Sequence, residues 1–139
     1  MAGTGSISTN FYLILSQTAS AQETLTSVAL PTGQFEIENM IVAGGAAVGG
    51  GATINVSKIS GGVTTRISPG GGPLNVQGGP YNLGAGGAIQ IPLNNNEVNA
   101  TFNTGDQIEV IIGGGNPSQL IFFFDCSAGA NNGTAITVT

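Results

Sequence analysis

Glu36 and Glu38 form the chain's nearest approach to a catalytic pair. In an extended segment, two-residue spacing puts both carboxylates on one face about 7 Å apart. Paired carboxylates can hydrolyse a glycosidic bond or help to hold calcium. A sugar site also needs aromatic platforms, and the chain has two Tyr and no Trp. A calcium site of the DxDxDG type is missing from the sequence as well. The pair therefore reads as the solvated face of a strand. Glu23, Glu97, Asp106, Glu109 and Asp125 are scattered, and Asp106 follows Gly105 where a turn would open a strand. The expectation is no metal and no cofactor.

Nucleophilic chemistry fares no better. The lone Cys126 has no histidine anywhere in the chain to serve as its base, and Lys58 and Arg66 are the only cations. An activated thiolate needs such neighbours. Cys126 shares parity with Phe122 and Phe124, which makes it a small core hydrophobe. Glycine clusters suggest phosphate loops, but none has the GxxxxGK[ST] pattern or opens a helical segment. With a net charge of −5 and two cations, the chain is not built for nucleic acid or for an anionic membrane surface. The sequons at Asn55, Asn99 and Asn132 follow from a composition rich in Asn, Ser and Thr.

The elements that carry these residues alternate with a period of two. Ile7, Thr9, Phe11, Leu13 and Leu15 share one parity, with Ser8, Asn10 and Tyr12 on the other. Phe35, Ile37 and Ile41 alternate with Glu36 and Glu38, and Ile54 and Val56 with Thr53, Asn55 and Ser57. Later runs set Ile89, Ile91 and Leu93 on one face, then Val98, Ala100 and Phe102, then Ile108, Val110 and Ile112. Leu120, Phe122 and Phe124 follow, then Ile136 and Val138. Each run ends at Gly, Pro, Asn or Asp, and none has a helical period. The pattern predicts an all-β, antiparallel two-sheet sandwich, jelly-roll-like, with roughly eight to ten strands and Gly-rich loops. An open barrel and an immunoglobulin-like sandwich are the alternatives.

Length fits one domain, 11–139, preceded by a flexible N-terminal arm, 1–10. The N-terminus has no basic segment, and Phe11–Leu15 is too short for a signal sequence or a membrane span, so synthesis in the cytoplasm is expected. Gly44–Gly51 reads as a hairpin loop, and Ser60-Gly-Gly62 as a tighter hairpin between Ile59 and Val63. Pro69–Gly87 is long for a compact domain. It is either an irregular excursion with one short strand near Leu74–Val76 or a contact arm.

One segment is apolar on both parities. In Leu120-Ile-Phe-Phe-Phe124, Leu120, Phe122 and Phe124 can face the interior, which leaves Ile121 and Phe123 outside. A strand apolar on both faces is covered on both. The cover is either a local flap or a second subunit, and the reading adopted is an oligomer interface at Ile121 and Phe123.

Three segments carry a resemblance: Phe35-Glu-Ile-Glu-Asn-Met-Ile-Val-Ala43, Ala52-Thr-Ile-Asn-Val-Ser57 and Thr104-Gly-Asp-Gln-Ile-Glu-Val-Ile111. Together, over about residues 35–125, the chain resembles the small all-β capsid decoration, or cement, proteins of tailed bacteriophages. The resemblance implies a non-enzymatic structural protein of a virion, made in the host cytoplasm. It further implies a homo-oligomer, often a trimer, on the outer surface of the capsid, with the major capsid protein as partner. Capsid contact is expected from the arm at Ser6 and Ile7 and from the long loop at Leu74, Val76 and Tyr81. The alternative is a receptor- or glycan-binding tip domain of a phage fibre or adhesin, which should show an exposed aromatic cluster around residues such as Tyr12 and Tyr81. A small hydrolase is a further rival, opposed by the missing histidine and the scattered acids.

Overall fold

The computed structural model describes residues 9–18, 22–29, 35–44, 51–69, 73–76, 81–84, 86–93, 101–114 and 119–128. Among them are strands β1 (Thr9–Ser16), β2 (Glu23–Thr26), β3 (Phe35–Gly44), β4 (Thr53–Ser60) and β5 (Val63–Arg66). There follow β6 (Leu74–Asn75), β7 (Ala88–Pro92), β8 (Thr101–Phe102), β9 (Gln107–Gly113) and β10 (Leu120–Ala128). The expected positions Ser6, Ile7, Ile136 and Val138 lie outside the described residues, as do Val98 and Ala100. Thr9 and Asn10 already belong to β1.

The pairing is nested. Thr9 sits opposite Ala128, Glu23 opposite Ile112, Asn39 opposite Pro92 and Ser57 opposite Arg66, down to Ser60 opposite Val63. Such a chain is one long antiparallel hairpin, rolled so that β10 meets β3 and β9 meets β4. Rolling produces two antiparallel sheets. Sheet A has the order β1-β10-β3-β7, with β8 also on β3; sheet B has the order β2-β9-β4-β5, with β6 also on β4. This is the jelly-roll-like sandwich expected from the alternation.

The core lies between the sheets. Met40, Val42, Ile91, Phe122, Phe124 and Cys126 from sheet A meet Ile54, Val56, Ile108, Val110 and Ile112 from sheet B, all buried. Phe35 stacks on Phe102 at 5.5 Å, and Phe11 meets Phe35 edge-on at 5.3 Å. Lys58 closes this end. Its Nζ stands 5.8 Å from the Phe102 ring and donates to the Thr101 carbonyl at 3.1 Å.

Turns follow their residues. Gly61 and Gly62, with φ of +56° and +82°, close the β4–β5 hairpin as expected. Asp106 is a turn residue: its Oδ2 accepts the Asn103 N–H at 2.9 Å, and its own N–H donates to the Asn103 carbonyl. Between β1 and β2 the Glu23 carboxylate accepts both the N–H and the O–H of Thr18.

Two expectations are corrected. Phe35, Ile37 and Ile41 do not share a face. Asn39 is opposite Asp125 while Ile37 is opposite Cys126, so Glu38 is an extra residue and β3 bulges there. Beyond the bulge Met40 and Val42 point inward, and Ile41 points out. β3 and β4 are not a hairpin pair either, because β3 lies in sheet A and β4 in sheet B; residues 45–50 between them lie outside the described residues.

Candidate functional site

The residues first suspected of chemistry are occupied structurally. Ser127 Oγ donates to Glu38 Oε1 at 3.1 Å, and the Glu38 carbonyl accepts the Leu93 N–H at 2.9 Å, so the bulge residue ties β3 to both its neighbours. Cys126 is fully buried. Burial in apolar surroundings pushes its thiol up to about 12, against 9.0 for an ordinary cysteine here, so no thiolate is available near neutral pH. Among the described residues no cluster of three or more His, Cys, Asp or Glu could hold a metal ion.

The feature that stands out is the outer face of sheet A. β1 and β10 run with a constant register, so Ile14 faces Phe123 and Ser16 faces Ile121. On its other side Phe123 faces Ile41, and Ile121 faces Ala43. Two rows therefore run from β1 to β3, Ile14–Phe123–Ile41 and Ser16–Ile121–Ala43, and end on β7 at Gln90 and Ala88. Tyr12 flanks them on β1, beside Asp125. Exposure rises toward the edge, from 37 % at Ile121 to 57 % at Ile14 and 58 % at Tyr12.

Sheet B presents the opposite character. Its outer face reads Thr24–Ile111–Asn55 and Thr26–Glu109–Ser57–Arg66 across the strands. Polar side chains outnumber the one exposed isoleucine, Ile111. The row through Ile14, Phe123 and Ile41 makes the outer face of sheet A the more apolar of the two, although sheet B also exposes Ile111 and, in its hairpin, Val63. An apolar face of this extent usually marks an interaction surface.

The alternation puts Ile121 and Phe123 on the outer face, where the structure has them, but does not show which residues stand beside them. It gives Tyr12 to the polar parity of β1 and puts Ile41 inside, and it does not single out Ile14. The signal was present in Phe11-Tyr-Leu-Ile-Leu15, which is as continuously apolar as Leu120-Ile-Phe-Phe-Phe124. Two runs that are apolar on both parities pair with each other in the sheet.

The long loop has a different role from the one expected of all its residues. Val76 is fully buried, its N–H donates to the Ala52 carbonyl and its carbonyl accepts the Leu83 N–H. It anchors the loop, and its side chain has no surface to offer a partner. Leu74 and Tyr81 are half-buried against the core. The described part of the loop is an irregular excursion with the one short strand β6.

No protein-family model matches the chain, and no curated protein matches its sequence. Its fold is similar to that of a chain in the capsid of Ralstonia phage GP4. The TM-score is 0.50 and the identity 16 %, over 94 % of this chain and 88 % of that one. Likeness at this identity is a likeness of fold. Lower scores come from a chain of Turnip Yellow Mosaic Virus, at 0.45 with 9 % identity over 92 % of this chain and 94 % of that one. The nucleoplasmin-like N-terminal domain of Drosophila FKBP39 scores 0.43, with 10 % identity over 90 % and 95 %.

Proposed function

We propose that this chain is a non-enzymatic structural protein of a viral capsid. In the specific form of this reading it binds the outer surface of the major capsid protein and stabilises the shell as a decoration, or cement, protein. The observation that carries the reading is the apolar row on the outer face of sheet A, because a monomer in water gains little from an exposed Ile14 beside half-buried Phe123 and Ile41. The fold shared with a chain of a phage capsid supports it.

Ile121 and Phe123 lie in the contact with a neighbouring subunit of the shell. Capsid contact comes in addition from Leu74 and Tyr81 on the long loop and from the arm at Ser6 and Ile7. The mechanism is thermodynamic. A protein that binds only the assembled shell raises shell stability by mass action, and many weak contacts reinforce one another through avidity. The scarcity of cations suits an outer location rather than one facing packaged nucleic acid.

Co-sedimentation with empty shells of the virus that encodes the chain tests the reading. Binding through apolar surface should weaken little between low and high salt, since screening acts on charge. Phe123→Asp should abolish it, because binding would then bury an unpaired carboxylate. Binding that collapses with salt, or that survives Phe123→Asp unchanged, would contradict the proposal.

A further inference from the structure

Among the described residues β1 is an edge strand without the usual protection. Edges invite pairing with other chains, and proteins guard them with charge, proline, bulges or shortness. Among the described residues the other edges of the two sheets are guarded. β2 is four residues long and carries Glu23; β5 is four residues and carries Arg66; β7 is five residues and ends in Pro92. β1 runs for eight residues, Thr-Asn-Phe-Tyr-Leu-Ile-Leu-Ser, with no charge, proline or glycine. Its pairing with β10 is free of bulges throughout.

The open hydrogen-bonding groups of this edge can be named. The Gln17 N–H donates to the Leu120 carbonyl at 2.9 Å. In an antiparallel pair the bonded positions alternate. Carried back along the constant register, that bond turns Phe11, Leu13 and Leu15 toward β10. The N–H and C=O groups of Tyr12, Ile14 and Ser16 then point away from it, and no described element pairs with them. These residues also hold the most exposed apolar side chains of the sheet face. Open main chain and open apolar surface coincide on one strand.

We infer that β1 pairs antiparallel with β1 of a second copy about a twofold axis, joining two A sheets into one. Length selects the occupant: of the strands with a free edge in the described chain, only β1 is long enough to match β1. Charge selects it too. Copies of a chain with net charge −5 repel wherever acids meet, and β1 has none. A twofold contact satisfies both edges at once and closes, which prevents growth into fibres. Pairing about Leu13 sets Tyr12 of each copy across from Ile14 of the other and continues the apolar row over the axis. This inference goes beyond the capsid reading and stands without it; a dimer, rather than the trimer implied by the resemblance, is the unit in solution.

The test uses the purified chain without shells, so its outcome is separate from that of the capsid reading. Light scattering at tens of micromolar should give twice the 13.7 kDa of the chain. Hydrogen exchange of that species should show slow amides at Tyr12, Ile14 and Ser16, becoming fast on dilution to monomer, while Leu13 and Leu15 stay slow in both. Ile14→Pro removes an N–H that β10 does not use, so it should give a folded monomer with an unchanged β-sheet spectrum. Ile14→Lys, a charge on the edge, should do the same if the proline variant does not fold. A wild-type mass of one chain or of three would overturn the inference. So would a dimer whose Tyr12, Ile14 and Ser16 amides exchange freely, or one that persists in the folded Ile14 variants.

Discussion

Ile14 on β1 stands directly opposite Phe123 on β10, on the side of the sheet that faces away from the core. The next residues of the two strands, Leu13 and Phe124, are also opposite each other and point inward. A single pair of strands therefore carries two apolar surfaces back to back. One closes the sandwich, and the other faces away from the core.

Neighbouring phenylalanines of β10 should consequently behave in opposite ways. Phe124 is fully buried, and Phe124→Ala should cost about 3–5 kcal/mol of stability. Phe123→Ala should cost less than about 2 kcal/mol, since only part of its surface is covered in the single chain. Urea unfolding measured below the concentration at which copies associate separates the two. Equal losses would place Phe123 in the core.

Gly114 makes a sharper backbone test. Its φ is +67°, and a Cβ added there would fall 2.0 Å from the Gly51 carbonyl oxygen. Gly114→Ala must move one of the two loops as well as strain its own backbone, and should cost well over about 1 kcal/mol. Gly105, with φ of +93° but open space around its Cβ position, isolates the strain alone. Thermal unfolding should rank Gly114→Ala as clearly the worse of the two.

Cys126 fixes a pH dependence with a definite sign. Burial raises its pKa in the folded chain from 9.0 to about 12. Between those values the unfolded chain has lost the proton and the folded chain keeps it, so stability falls as pH rises through the window. The slope from this group is at most about 1.4 kcal/mol per pH unit. It should be missing from Cys126→Ala, measured as the difference between the two unfolding curves from pH 9 upward. A thiol reagent at pH 8 should label Cys126 only after unfolding.

The strands were legible in the sequence because each face of a sandwich writes a period of two into the chain. Ile54 with Val56, Ile108 with Val110, and Phe122 with Phe124 all point inward as their parity required. The bulge at Glu38 was not legible. Nothing in Phe35-Glu-Ile-Glu-Asn-Met-Ile shows that one residue will be skipped, because the skip is set by the partner strand, where Asp125 and Cys126 pair across it. That one residue moved Ile41 from the inside to the outer face. Sheet assignment was hidden for the same reason: Gly44–Gly51 is as glycine-rich as a hairpin, and only long-range pairing reveals that β3 and β4 lie in different sheets. The outward parity of Ile121 and Phe123 was legible because Leu120, Phe122 and Phe124 alternate with them in one strand. Their neighbours Ile14 and Ile41 needed the register.

If the chain is a capsid protein as proposed, the outer face of sheet A is buried in a viral shell. Electron cryo-microscopy of intact particles of the encoding virus, at a resolution that shows side chains, addresses it most directly. This sandwich should lie on the outside of the major capsid protein, with Ile14, Ile121 and Phe123 covered by a neighbouring subunit. Particles without this chain, or with it bound while that face remains in solvent, would contradict it.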